Sequence, residues 1–195
     1  MEIQELINGC KNWNKKAQNE LYETYASRLF AVCLRYIPDR DNACDVLQES
    51  MIKIYKNIGS FSHSDDDVFY FWMKRITVNT ALNYIRDNIK NKLNTDIEHV
   101  ENEFTDENNA GFSQYDDMIE FIGSQKLFNL IQELPVGYRT VFNLYVVEDF
   151  NHKEIAEQLD ITVNTSKTQL FKARKMLISR ICEIMDRTSI IKEVI

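Results

Sequence analysis

The stretch that decides the fold is Asn151–Leu177, which reads NHKEIAEQLDITVNTSKTQLFKARKML. It opens with a helix start signal, because Asn151 is a good N-cap residue and Glu154 stands three residues later, as in a capping box. We predict that the inner face of the first, short helix is formed by Ile155, Ala156 and Leu159.

A turn and a second helix follow this short helix. Asp160 and Ile161 predict a tight turn, and Thr162 is a good N-cap for the next helix. Apolar or small residues then recur at steps of three and four, the period of one helical face, at Val163, Ser166, Leu170, Ala173 and Leu177. A small residue at the crossing, Ala156, and the short turn predict a helix-turn-helix. A plain helical hairpin inside an α-helical bundle is the alternative.

The second helix carries side chains suited to DNA. Its first turns would enter the major groove, and the residues there that we predict to be exposed all form hydrogen bonds: Asn164, Thr165, Lys167, Thr168 and Gln169. Three cations follow where phosphates would lie: Lys172, Arg174 and Lys175.

The charge of the chain is unevenly distributed. The formal net charge is −7, but residues 93–125 hold nine acidic residues and no Lys or Arg. Outside that segment, the chain has 23 basic and 21 acidic residues. Residues 74–92 and 165–180 are clearly basic, so the pattern predicts two nucleic-acid-facing modules joined by a flexible acidic linker. A charged helix face that is merely solvated is the alternative for each module.

The first half of the chain also reads as helices. One predicted stripe is Tyr22, Tyr25, Leu29, Val32 and Tyr36, and a second is Leu47, Met51, Ile54 and Ile58, ended by Gly59. We predict a polar loop over Phe61–Asp67. Its aspartates, Asp65–Asp67, are expected to cap the next helix. A metal site is the alternative interpretation of those aspartates.

The next helix, about Val68 to Lys90, carries two stripes. The apolar one faces a core and contains Val78, Leu82, Ile85 and Ile89. The polar one consists of amides and cations, which are the groups that bind base edges and phosphates: Arg75, Asn79, Asn83, Arg86 and Lys90. Trp72 lies about one turn before this stripe.

Composition excludes several classes of protein. With 44% hydrophobic residues, five Gly and two Pro, the chain suits a helix-rich globular fold. No apolar run exceeds six residues, which is too short for a bilayer span. Glu2 and Glu5 stand where a signal peptide needs positive charge, so we expect a cytoplasmic protein. The cysteines and histidines are too scattered for a zinc site, and we expect reduced thiols and no metal or cofactor.

The segment from Glu133 to Leu177 resembles region 4, the promoter-reading domain of the extracytoplasmic-function (ECF) group of bacterial sigma-70 family factors. The first half resembles their region 2, through Leu21-Tyr22-x-x-Tyr25, Ala43-x-Asp45-x-x-Gln48-Glu49, Trp72, Ile76, Asn79 and Arg86. The resemblance covers about residues 15–90 and 125–182. It implies an all-α protein of two small domains, with region 2 in residues 1–92, a linker in 93–124 and region 4 in 125–195.

The resemblance also implies partners and roles. Region 2 would dock on the β′ clamp helices of core RNA polymerase through Asp45, Gln48 and Glu49, with further contacts to the β subunit. The following loop and helix would open and read the −10 element with flipped bases, through Trp72, Asn79, Asn83 and Arg86. Region 4 would read the −35 element as duplex. An anti-sigma protein, often membrane-bound in this group, is a further expected partner.

The sequence departs from the family at four of these positions. The family usually has Asp where Asn83 stands, and commonly Gly, Val and Arg where Asn164, Ser166 and Gln169 stand. The −35 preference therefore does not carry over.

Two other classes of function remain as alternatives. An autonomous regulator would need a dimer for affinity, and only the apolar tail Ile178–Ile195 offers a seam. An enzyme lacks support, because the five glycines form no phosphate-binding loop and no catalytic constellation is recognisable. We therefore expect a sigma factor that is monomeric when free and has no catalytic residues.

Overall fold

The computed structural model describes residues 2–95 and 124–193, with side chains described for residues 2–88 and 125–185. The chain divides into two compact units, Met1–Lys90 (unit 1) and Asn91–Ile195 (unit 2). All the regular structure of the described residues is helical, which confirms the predicted all-α class. The predicted linker, residues 93–124, lies outside the described residues except at its ends, where 93–95 and Ser124 belong to helices.

Unit 1 is built from four α-helices that the structure describes. They are α1 (Ile3–Lys11), α2 (Lys15–Tyr36), α3 (Arg40–Asn57) and α4 (Asp66–Thr95). A single 3-10 turn, Ile58–Ser60, follows α3 and contains Gly59, the predicted helix end. The predicted helix end at Gly59 is therefore correct within two residues, and α2 ends at Tyr36, two residues before Pro38.

The core of unit 1 is formed by the predicted apolar stripes. The residues that are at least nine-tenths buried include Leu29, Val32, Tyr36, Leu47, Met51, Ile54, Ile58, Val78, Leu82 and Ile85. Tyr22 is an error of the prediction, because it is 47% exposed. The buried position belongs to Leu21, which shares its helical face with Tyr25 and Leu29 at steps of four. The side chain of Ile89 lies outside the described residues.

The entry into α4 is fixed by two aspartates of the predicted capping cluster. A side-chain oxygen of Asp65 accepts a hydrogen bond from the backbone N–H of Val68 at 3.0 Å, so Asp65 caps the helix as predicted. Asp66 accepts a hydrogen bond from the hydroxyl of Tyr25. The pKa of Tyr25 is raised mainly by burial and, to a smaller extent, by this hydrogen bond. The contact joins the start of α4 to α2.

Unit 2 also contains four α-helices among its described residues. They are α5 (Ser124–Glu133), α6 (Val136–Phe142), α7 (His152–Leu159) and α8 (Val163–Glu193), with a π-helical turn, Asn143–Val147, after α6. Helix α8 packs against α5, α6 and α7. One core cluster joins α5 to the middle of α8 and consists of Leu130, Leu134, Ala173, Leu177 and Ile181.

A buried cation completes the packing of α6 against α5. The guanidinium of Arg139 donates to the backbone oxygens of Gln132, at 3.0 Å, and Leu134, at 2.6 Å. Both carbonyls lie at the C-terminal end of α5, where side-chain donors commonly satisfy the last carbonyls of a helix, so Arg139 acts as a C-terminal cap. Burial lowers the pKa of Arg139 to about 10, and the guanidinium stays charged at neutral pH.

Two further observations concern membrane spans and the state of the cysteines. None of the described helices combines the length and the apolar character that a membrane span requires. All four cysteines are free; Cys10 and Cys33 are buried, whereas Cys44 and Cys182 are half-buried. Burial raises the pKa of Cys10 to about 11 and that of Cys33 to about 12, which keeps both thiols protonated.

Candidate nucleic-acid interface

The helix-turn-helix of unit 2 has the local features that its sequence predicts. Asn151 and Glu154 form a full capping box at the start of α7. Asp160 takes the left-handed conformation (φ 55°, ψ 48°) and ends the helix. The hydroxyl of Thr162 accepts a hydrogen bond from the backbone N–H of Thr165 at 3.0 Å, which caps α8. Only Asp160, Ile161 and Thr162 separate the two helices, so their crossing is closely fixed.

The crossing of α7 and α8 is packed around small and apolar side chains. Ile155 is fully buried and Ala156 is 8% exposed, while Leu159 is half-buried. The carbonyl of Ala156 accepts a hydrogen bond from the backbone N–H of Ile161 at 3.0 Å. The small side chain at position 156 therefore stands where the backbone turns back toward α8.

The first turns of α8 present a polar face. Asn164 is exposed, and Thr165, Lys167 and Thr168 are half-buried. The hydroxyl of Thr168 donates to the carbonyl of Asn164 at 2.9 Å and retains its capacity to accept a further hydrogen bond. Asn164, Lys167 and Thr168 are spaced by three and four residues, so they share one face.

Gln169 does not belong to this face, and its predicted exposure is wrong. The side chain is 5% exposed. It lies three residues after Ser166 and four before Ala173, both fully buried, so the helical period directs it into the core. Its amide packs on Gly137 of α6, where an added Cβ would lie 3.1 Å from the amide nitrogen. Val163 shows the opposite error, because the helix begins there and leaves it 37% exposed.

The predicted phosphate-binding cations of α8 differ in their surroundings. Lys175 is exposed. Lys172 is half-buried, with its ammonium 5.9 Å from the ring centre of Tyr138. Arg174 is half-buried over the ring of Tyr145, at 5.7 Å, and burial lowers its pKa. Arg174 is thus held against the protein, whereas Lys175 faces solvent.

In unit 1, α4 carries a face of amides and cations that is largely exposed. Arg75, Asn79 and Arg86 are exposed, and Asn83 is half-buried. Arg86 donates to the side-chain oxygen of Asn83 at 2.8 Å. The side chain of Lys90 lies outside the described residues. The structure therefore brings four of the five residues of the predicted polar stripe to one surface.

Trp72 lies at the start of that face, in a cluster of aromatic rings. Its ring centre lies 5.2 Å from that of Phe61 and 5.8 Å from that of Phe69, on which it stacks. Phe61 and Phe69 are buried, and Trp72 is half-buried. Lys11 of α1 donates to the carbonyl of Phe61 at 2.6 Å. The loop at 61–67 is thus polar only after Phe61, and Trp72 is held in place by packing.

A third surface lies on α3. Asp45, Gln48 and Glu49 are all exposed. Their spacing of three and four residues places them on one face, opposite the buried stripe of Leu47, Met51 and Ile54. Glu49 pairs with Lys53 at 2.7 Å on the surface.

Within residues 2–88 and 125–185, no three His, Cys, Asp or Glu side chains are placed to hold a metal ion. Asp65 and Asp66 are already engaged with a backbone N–H and a tyrosine hydroxyl. The metal alternative for these aspartates therefore gains no support.

Comparison with known proteins gives two family matches. Residues 21–90 match the model of sigma-70 region 2, and residues 124–177 match that of sigma-70 region 4. A curated relative from Haemophilus influenzae, an ECF RNA polymerase sigma-E factor, is 31% identical over 193 residues, covering 93% of this chain and 96% of the relative. The protein of the same name from Escherichia coli K12 is 29% identical over 188 residues, covering 94% of this chain and 96% of the relative. The chain belongs to the ECF group of the sigma-70 family.

Membership of this family implies binding to core RNA polymerase and to promoter DNA. The chain is a sigma factor that directs promoter-specific transcription initiation, as its sequence predicts. Each matched region lies within one of the two units: region 2 covers residues 21–90 of unit 1, and region 4 covers α5 to the middle of α8 in unit 2.

Two departures of this sigma factor from its family can now be placed. Asn83, where the family usually has Asp, keeps a side-chain oxygen that accepts from Arg86. Ser166, where the family commonly has Val, is fully buried, but its hydroxyl lies 2.9 Å from Nδ1 of His152. Both departures therefore have local hydrogen-bond partners.

Two exposed apolar residues beside the polar faces of this sigma factor were not predicted from its sequence. Ile52 is 53% exposed and lies four residues after Gln48, on the same face of α3. Phe71 is 60% exposed and lies four residues before Arg75 on α4. Each lies four residues from a polar residue of the same helix face. This helical spacing was the feature of the sequence that could have predicted their exposure.

Proposed function

We propose that unit 1 holds core RNA polymerase through α3 and the −10 element through α4, while α8 of unit 2 reads the −35 element. The observation that carries this assignment is that the region 2 and region 4 matches fall on separate units, each with its own exposed polar face. Residues 1–92 and 125–195 are the corresponding proposed domains, and 93–124 is the proposed linker.

The polymerase contact is assigned to the exposed face of α3. Asp45, Gln48 and Glu49 supply charge and hydrogen bonds, and Ile52 adds an apolar side chain beside them. An exposed large apolar residue within a polar rim is typical of a protein interface. The partner surface is that of the β′ clamp helices, with additional contacts to the β subunit.

The −10 contact is assigned to the exposed face of α4. Arg75, Asn79, Asn83 and Arg86 offer donors to bases and phosphates, and Lys90 continues the same spacing. Trp72 and Phe71 provide aromatic surface at the head of this face. Stacking on aromatic rings offsets the few kcal/mol that unstacking a base costs.

The −35 contact is assigned to the start of α8. Asn164, Thr165, Lys167 and Thr168 face the major groove, and Lys172 and Lys175 lie along the phosphates. Arg174 contributes positive potential from its position over Tyr145. Gln169 is left out of this surface because it is buried.

The remaining assignments concern the protein's state in the cell. The factor is cytoplasmic, where bacterial RNA polymerase works, and it is monomeric when free of its partners. It acts by binding, without catalytic chemistry or a cofactor. Its activity is controlled by an anti-sigma protein, which in this group is often membrane-bound.

The test of the polymerase surface is a charge reversal on α3. Asp45→Lys is expected to lower the affinity for core RNA polymerase at least tenfold, because it places a cation where the partner surface accepts an anion. Glu5→Lys, a reversal of an exposed acid on α1, is the matched control and should leave the affinity within about twofold. Both affinities are measured by titration of fluorescently labelled factor with core enzyme. Equal affinities for the two variants would contradict the assignment.

A further inference from the structure

We propose that His152 is a positioning residue, which fixes α8 on α7 through its hydrogen bond to Ser166. The contact joins the first turn of α7 to the first turn of α8, across 14 residues of sequence. It lies inside the helix-turn-helix, next to the residues proposed to read DNA. The effect on promoter reading rests on the proposed function, whereas the contact itself does not.

The hydroxyl of Ser166 needs this partner. Ser166 is fully buried, and a buried hydroxyl that lacks a hydrogen-bond partner destabilises the fold. Nδ1 of His152 lies 2.9 Å from the hydroxyl oxygen, and the bond forms with either neutral tautomer because a hydroxyl both donates and accepts. A valine at position 166, common in the family, makes no such demand. His152 and Ser166 therefore act as a pair in this chain.

The imidazole of His152 is itself held in place by Tyr145. The two ring centres lie 4.6 Å apart and the rings are stacked, with an angle of 26° between their planes. The guanidinium of Arg174 lies over the same tyrosine ring at 5.7 Å. Helix α8 is thus contacted by this cluster at Ser166 and at Arg174, about 12 Å apart along its axis.

Two points of contact restrict both the tilt and the rotation of α8. Ser166 lies between Thr165 and Lys167, so a rotation that breaks the His152 bond also moves their side chains. Base contacts in the major groove require correct placement within about 0.5 Å. The cluster of Tyr145, His152, Ser166 and Arg174 therefore sets the position of the proposed reading face without touching DNA.

The first test is a double-mutant cycle read by hydrogen exchange in the full chain. Exchange of the backbone amides of residues 163–170 is measured in His152→Ala, in Ser166→Ala and in the double variant. Each single change is expected to speed exchange roughly tenfold, and the double variant no more than about tenfold, because both remove the same bond. Multiplied effects, about a hundredfold in the double variant, would overturn the proposal.

A conservative variant separates the hydrogen bond from general packing. The amide of His152→Asn reaches the place of Nδ1, so exchange should return to within about threefold of the parent. Glu157→Gln, an exposed change on the same helix, is the control and should have no effect. An Asn variant as fast as the Ala variant would show that the bond does not position α8.

The second test is transcription with core polymerase from a −35-dependent promoter. His152→Ala should lower initiation about fivefold to tenfold there and leave unchanged a promoter whose −35 element is scrambled. If Lys167→Ala weakens the −35-dependent promoter and His152→Ala does not, the positioning role is overturned. If neither weakens it while exchange shows coupling, the contact stands and the proposed −35 role of α8 fails.

Discussion

Replacement of Lys167 on α8 is expected to affect promoter reading without affecting polymerase binding. Its side chain is half-buried and shares one helical face with Asn164 and Thr168. We expect Lys167→Ala to weaken −35-dependent promoter binding by the holoenzyme about fivefold, because it removes a donor from the major groove, and to lower the salt dependence slightly, because one cation leaves the DNA interface.

The measurement is promoter binding by holoenzyme at several salt concentrations. Lys126→Ala, which removes an exposed cation from α5, is the charge-matched control and should change neither quantity. Core-polymerase affinity should be the same for both variants. A Lys167→Ala holoenzyme that binds the −35-dependent promoter as tightly as the parent would contradict the proposed contact of Lys167 with the major groove.

A second residue-scale prediction concerns pH. Burial lowers the pKa of His152 below its usual 6.5, and Lys167 and Arg174 lower it further. The unfolded chain therefore binds this proton more readily, so unit 2 loses stability as pH falls from about 6.5 toward the pKa of the folded state. His152→Asn removes the group, and its unfolding should be less sensitive to acid.

Urea unfolding of the parent and of His152→Asn between pH 7.5 and 5.5, followed by circular dichroism, measures this difference. Other acidic groups titrate equally in both chains and cancel in the comparison. An equal loss of stability in the two chains would exclude His152 as its source.

The burial of residues at the edge of a helix's apolar face was predicted wrongly from the sequence. Gln169 has a polar side chain, but its position between Ser166 and Ala173 buries it on Gly137. Tyr22 is apolar enough for a core, but Leu21 occupies that position. A stripe two residues wide satisfies the same spacing rule, so only packing against the neighbouring helix decides which residue is inside.

At the scale of elements, the start of α4 is held by Tyr25 of α2. The hydroxyl of Tyr25 donates to Asp66, and its ring packs edge-on against Phe69 at 5.8 Å. Tyr25→Phe keeps the ring and removes the bond, so unit 1 should lose about 1 kcal/mol of unfolding free energy. Tyr22→Phe alters a hydroxyl on an exposed ring and should change stability by less than about 0.5 kcal/mol.

Tryptophan fluorescence during urea unfolding measures this effect in unit 1 alone. The chain has two Trp residues, Trp13 and Trp72, and both lie in unit 1. Equal midpoints for Tyr25→Phe and the parent would show that the hydroxyl contributes nothing to the entry of α4.

Long amphipathic elements were predictable from the sequence, and short irregular ones were not. Helices α3, α4 and α8 repeat their apolar residues over several turns, which fixes both their type and their buried face. Helix α6 has only seven residues and continues into a π-helical turn, so it offers less than two full repeats. Capping residues such as Asn151 and Asp65 located the helix starts because their hydrogen bonds are local.

At the scale of the whole molecule, the division of labour between the units is the central claim. In the proposed division, unit 1 binds polymerase through α3 and the −10 element through α4, and unit 2 binds the −35 element through α8. A single helix-turn-helix with few phosphate contacts binds DNA weakly by itself, so promoter affinity must come from the complex with polymerase. The acidic segment 93–125 opposes independent DNA binding, because its nine carboxylates repel phosphates.

The most direct measurement of this claim is footprinting of a genomic promoter library by the purified chain, with and without core RNA polymerase. We predict no protected sites for the chain alone, and with polymerase a set of promoters protected at two blocks, of which Lys167→Ala weakens only the upstream one. Strong protection of palindromic sites by a dimer of the chain alone, unchanged by polymerase, would contradict the account.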